Sequence, residues 1–130
     1  MKPVIQDIDY GGERWFVVAV HYPTAVAAKA AWERVEGAPW HRPNSGLGIL
    51  RLDADATRQH DPSLPAGRFP VVGCTELEDT ARLLALTLEG GTTWSPNDWL
   101  LRQVIERRRA VTAFMPHDGG WYRARRPEPS

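Results

Sequence analysis

The strongest constraint on this chain is a strand-then-helix pattern that returns after 54 residues. Val17, Val18, Ala27, Ala31, Gly37 and Trp40 fall on Val71, Val72, Ala81, Ala85, Gly91 and Trp94, six identities over 24 residues. One residue of slippage then brings Pro43 and Asn44 onto Pro96 and Asn97. Each half therefore reads strand, helix, Gly, Trp, Pro-Asn. Two explanations fit: a duplicated βα unit, or two independent units sharing small and apolar residues because packing a helix on a strand demands them.

On either explanation, two βα units need parallel neighbours within one sheet. Helices on one face with the other face free is the split βαβ, ferredoxin-like arrangement. The expected fold class is thus α+β, a ferredoxin-like split βαβ sandwich of two βα units, duplicated or independent, with an extra helix and a C-terminal β-hairpin. With 130 residues and average apolar and charged fractions, residues 1–126 are expected to form one domain and 127–130 a disordered tail.

Local signals place the elements. Val4, Ile8 and Tyr10 precede Gly11-Gly12, and the apolar run Trp15 to Val20 follows, which predicts two strands joined by a Gly-Gly turn. Residues 25–36 are rich in helix formers, with Ala27, Ala31 and Val35 at i, i+4, i+8, opened near Pro23 or Thr24 and stopped by Gly37. Gly46 to Leu52 reads as a strand, and Asp53 to Gly67 as a long polar loop. Phe69 to Cys74 is a second apolar strand, and Thr75-Glu76-Leu77-Glu78 has the form of a capping box for a helix over 76–89 that Gly90-Gly91 stops.

Ser95-Pro96-Asn97-Asp98 predicts the start of a third helix, continuing through Leu100, Leu101, Val104 and Ile105 to Arg109. The segment Trp99 to Leu101 fits a short strand equally well. Ala110 to Met115 reads as a strand, and Asp118-Gly119-Gly120 as a turn into Trp121 to Arg126, a terminal hairpin.

Sixteen basic residues balance sixteen acidic ones, so net charge offers no reason to expect nucleic acid or a membrane surface as partner. Cys74 is the only cysteine, which rules out an intramolecular disulfide, a Cys₄ zinc site and a C-x-x-C motif. The first nine residues carry Asp7 and Asp9, and no stretch approaches eighteen apolar residues, so the expectation is a cytoplasmic protein without a signal peptide or membrane span. Fourteen arginines against Lys2 and Lys29 suggest a GC-rich, bacterial genome, a codon argument silent on function.

No motif writes an active site. His21, His41, His60 and His117 show no H-E-x-x-H or i, i+4 pairing, and the chain has no G-x-S-x-G elbow or phosphate-binding glycine loop. His21 and Cys74 both fall near the carboxyl ends of strands expected to be neighbours, where open α/β sheets place ligands. The competing reading is a strand-end histidine beside a buried, inert thiol.

Charge is uneven along the chain. Residues 1–52 hold six positive and five negative groups, 53–98 three and eight, and 99–130 seven and three. The last segment interleaves Arg107, Arg108, Arg109, Arg123 and Arg125 with Trp99, Trp121 and Tyr122, a composition that grips phosphates and stacks bases. A charged edge strand has the same composition. Of six tryptophans, Trp40, Trp94 and Trp99 sit in or beside Gly/Pro loops, where they either form interface hot spots or fold back over the core.

The function these features favour is a non-enzymatic interaction or ligand-binding module, a homodimer, using its sheet face and tryptophan-bearing loops. Its binding residues would be Trp40, Trp94, Trp99 and His21, and its partner a second copy, another protein or a small ligand. One alternative is a nucleic-acid-binding regulator using Arg107, Arg108, Arg109, Arg123, Arg125 and Trp121. Another is a small dimeric ferredoxin-like enzyme with His21 as its key residue. No catalytic set, metal site, cofactor or membrane partner is assigned.

Overall fold

The structure is a computed structural model that describes residues 2–42 and 46–114. Among these residues the chain is α+β, with a five-stranded open antiparallel sheet and four helices. It opens with a hairpin of β1 (Gln6–Tyr10) and β2 (Glu13–Tyr22). Gly11 and Gly12 both take positive φ, 60° and 82°, as a two-residue turn between twisted strands requires.

Helix α1 (Ala25–Glu36) follows, with the Thr24 side chain accepting the Ala27 amide at 3.0 Å. This cap, and the stop at Gly37, are where the sequence puts them. Strand β3 (Leu47–Arg51), helix α2 (Ala54–His60), strand β4 (Phe69–Thr75) and helix α3 (Glu78–Thr87) come next. The two-residue strand β5 (Thr92–Thr93) and helix α4 (Asp98–Phe114) complete the described chain.

The sheet runs β1-β2-β4-β3, and β5 pairs with β2. One edge of β2 carries β4; the other carries β1 against residues 13–17 and β5 against Val20 and His21. Every pairing is antiparallel, which corrects the expectation of parallel neighbours. Phe16 lies opposite Thr75, and Tyr22 opposite Phe69. The carboxyl ends of β2 and β4 thus point to opposite ends of the sheet, and His21 is not brought to Cys74.

Side chains alternate along the strands and feed two cores. Val18, Val20, Ile49 and Val71 face α1 and α3, joining Ala31, Val35, Leu84 and Ala85. Trp15, Val17, Ala19, Val72 and Cys74 face the other way and join Leu100, Leu101, Val104 and Ile105 of α4. The sheet face expected to be bare is therefore covered.

Three further expectations are corrected. Residues 110–114 continue α4 instead of forming a strand, because no glycine or proline interrupts 98–114 and the apolar stripe on α4 keeps one helical face on the sheet. The loop after β3 contains α2, capped by the Asp53 side chain on the Ala56 amide at 2.8 Å. Thr75 ends β4 rather than capping a helix at Glu76; its hydroxyl accepts the Leu77 amide, and α3 starts at Glu78 without a side-chain cap. The terminal hairpin, with Trp121, Arg123 and Arg125, lies outside the described residues.

Candidate binding cleft

Helices α2 and α4 run side by side in opposite directions. Asp53, at the start of α2, lines the same hollow as Arg107, while His60, at its end, stacks on Trp99 near the start of α4. Between the helices lies a cleft of about 240 Å³. Its floor is Leu50 near the end of β3 and Leu52 just after it, with Leu100 and Val104 from α4. Trp99, Gln103 and Arg107 follow one another at i, i+4, i+8 along its α4 wall, a span of about 12 Å at 1.5 Å per residue.

A polar network centred on the buried Asp61 sets the aromatic end. Asp61, 1% exposed, accepts the Ser63 amide at 3.1 Å, the Ser63 hydroxyl, and the Asn97 amide at 2.8 Å. Asn97 in turn caps α4 by accepting the Leu100 amide at 3.0 Å, and its side-chain NH₂ donates to the His60 carbonyl at 2.8 Å. Trp94 Nε1 donates to Ser63 Oγ at 3.0 Å. These bonds tie the end of α2 to the start of α4, so the His60 and Trp99 rings lie 4.1 Å apart and only 17° from parallel.

The three consecutive arginines of α4 diverge. Arg108 is buried and donates to the Gly46 carbonyl at 2.7 Å; burial pushes its pKa below the usual arginine value. Arg109 turns to Glu13 and Glu106, at 3.6 and 3.4 Å. Tyr10 adds a hydrogen bond to the same Glu106. Arg107 projects into the cleft and makes no hydrogen bond or ion pair among the described residues.

These placements sort the candidates taken from sequence. Trp94 is 5% exposed and belongs to the α4-side core, its backbone amide bonded to the Ala19 carbonyl at 3.0 Å. Trp40 is half-buried against the α1/α3 core. Both fold back over the core; Trp99 alone of the three remains substantially open, at 44%.

His21 is buried and accepts Arg68 Nε on its Nδ1 at 2.7 Å, while Arg68 also reaches the Thr92 hydroxyl. Burial first, and the Arg68 charge second, lower its pKa and favour the neutral ring. The imidazole is committed as an acceptor to a guanidinium, so that nitrogen is not available to take a substrate proton. Cys74 is fully buried under α4, and burial pushes its thiol up to about 12, which makes it a poor nucleophile. No group of three or more metal-ligating side chains occurs among the described residues.

Arg107, Arg108 and Arg109 do not form one basic surface, since one is buried and another is paired. Trp121, Arg123 and Arg125 lie outside the described residues. What sequence reading missed is the part played by His60, Asp61, Ser63 and Arg107 around one cleft. The signal present was Asp53 as a helix cap and Asn97 as another; nothing in local spacing shows that these two helix ends meet.

No helix among the described residues is long and apolar enough to cross a membrane. The chain matches no family model, no curated protein and no solved structure.

Proposed function

We propose that this chain is a non-enzymatic ligand-binding module on a ferredoxin-like frame, and that the cleft between α2 and α4 receives an apolar group. The observation that carries the reading is the exposed Trp99, held face to face with His60 over an apolar floor. Binding sites are concavities of this kind, mostly apolar with a few oriented polar groups at the rim.

The frame is supported by the strand order. β2 and β3, joined through α1, are separated in the sheet by β4; β4 and β5, joined through α3, are separated by β2. That interleaving is what a split βαβ pair generates. The uncovered sheet face that motivates a homodimer is absent among the described residues, because α4 lies on it. The nucleic-acid alternative loses the continuous arginine surface it needs on α4.

The test is a screen of neutral aromatic fragments by two-dimensional amide and indole NMR. Binding is expected to move the Trp99 indole and the Ala56 and Gln103 amides together. Ala56 is exposed on α2 and lines the cleft, so Ala56→Trp fills the space without touching either core and should abolish those shifts. Shifts centred elsewhere, or unaffected by Ala56→Trp, would overturn the reading.

A further inference from the structure

The cleft is asymmetric, and its asymmetry specifies a ligand more narrowly than an apolar group. At one end stands an aromatic platform, the His60 and Trp99 pair with centroids 4.1 Å apart. At the other, two helical turns away on the same stripe of α4, stands Arg107, a guanidinium that makes no ion pair among the described residues. Gln103 lies between them and the floor beneath is aliphatic. A flat ring covers the floor and meets the tryptophan, and a carboxylate on that ring reaches a planar, always-charged donor that binds carboxylates through paired N–H groups.

We propose that the cleft takes a small aromatic carboxylate, with its ring against Trp99 and its carboxylate on Arg107. This rests on the reading of the cleft as a binding site. Asp53 also lines the Arg107 end, but its carboxylate is turned to the Ala56 amide as the cap of α2. There it lies beside the positive end of the helix, which partly offsets its charge. Among the described residues Arg107 is then the charged group lining that end that makes no hydrogen bond or ion pair, and the complementary ligand is an anion. A zwitterion, whose ammonium would need Asp53, is the competing chemistry that the test separates.

The probes are 2-naphthoate and its neutral amide, 2-naphthamide, titrated by NMR into the full chain at low salt. Naphthoate is expected to bind about tenfold more tightly, as one exposed charge-assisted pair provides, and added salt should narrow the gap. Arg107→Gln should weaken naphthoate binding and bring the two probes to equal affinity. Asp53→Asn keeps a capping oxygen and should leave naphthoate binding unchanged or tighter.

Equal affinity of the two probes for the unaltered protein, or a preference that survives Arg107→Gln, overturns the anion assignment while the cleft reading stands. Tighter binding of L-tryptophan than of indole-3-propionate, the same acid without the ammonium, with a margin that Asp53→Asn removes, overturns it in favour of a ligand that also carries a cation. If neither probe moves the cleft resonances, the cleft reading itself fails and this inference goes with it.

Discussion

The two faces of the sheet are closed in different ways. On the α1/α3 face the contact is tight and mainly aliphatic: a Cβ at Gly73 would come within 2.5 Å of Leu84 Cδ2, and one at Gly91 within 2.7 Å of Val20 Cβ. On the other face α4 covers the sheet with Leu101, Val104 and Ile105 but is fastened at its ends by polar groups. Asp61 and Asn97 hold its start. Arg108 ties it to Gly46 and Arg109 to Glu13 further along. A helix seated by polar anchors need not be packed tightly along its whole flank, and the cleft lies along the flank toward α2.

If the α1/α3 face is closed by close packing, it should answer to volume. Leu84 is fully buried there, and Leu84→Ala is expected to cost about 3 kcal/mol of unfolding free energy in urea, transfer and cavity terms combined. A loss below about 1 kcal/mol would show that α3 can settle into the space, and the contrast between the faces would weaken.

The second face should answer to hydrogen bonding instead. Asp61→Ala removes the buried, charged acceptor of the Asn97 amide and the Ser63 amide and hydroxyl, and should cost about 2 kcal/mol. A structural role limited to stability would leave the rings alone. The anchoring role predicts, in addition, that the Trp99 fluorescence environment changes in the folded protein, because the stack on His60 loses its support.

This contrast also explains what the sequence makes legible. The α1/α3 face was readable because its determinants are local: a Thr cap, a glycine stop, apolar residues at helical spacing and alternating strands. Gly11-Gly12 specified its turn by chemistry that only positive φ satisfies. Strand order was beyond reach, since antiparallel and parallel placement of two βα units bury the same residues. Val111 and Thr112 favour a strand by propensity, yet the helical stripe running from Leu100 to Arg108 prevails by burying a continuous face. The cleft was invisible for a different reason. Its walls, residues 53–60 and 99–107, are far apart in sequence, and what joins them, Asp61 to Asn97, has no spacing rule. Trp99 was singled out as an open aromatic, whereas Trp94 beside it in sequence is a core residue; composition cannot tell the two apart.

His21 offers a weaker, pH-dependent probe of the edge where β5 meets β2. Its folded pKa lies below the unfolded value of about 6.5. The unfolded chain therefore takes up the proton first as pH falls, and the folded state loses stability progressively below that value until the folded group also protonates. The stabilising contribution of neutral His21 is complete above the unfolded pKa. Unfolding free energies measured from pH 7.5 downward should decline more steeply for the unaltered protein than for His21→Gln. Identical slopes would mean that the Arg68 contact and the burial of the ring do not bias its protonation.

The smallest effect on stability is expected at Arg107, and it separates the neighbouring arginines most sharply. Arg108→Gln removes a buried guanidinium from the Gly46 carbonyl and leaves that acceptor unsatisfied, a loss of about 1–3 kcal/mol. Arg107→Gln removes an exposed group that makes no ion pair among the described residues, on a helix interior that tolerates glutamine, and should change stability by less than about 0.5 kcal/mol. Equal costs at the two positions would mean that Arg107 is held by the fold after all, and that its charge is not standing open at the end of the cleft. A stable Arg107→Gln protein that has also lost its preference for 2-naphthoate would show the reverse. The fold would then place on one turn of α4 an arginine that holds the helix down and, one residue before it, an arginine kept for something outside the chain.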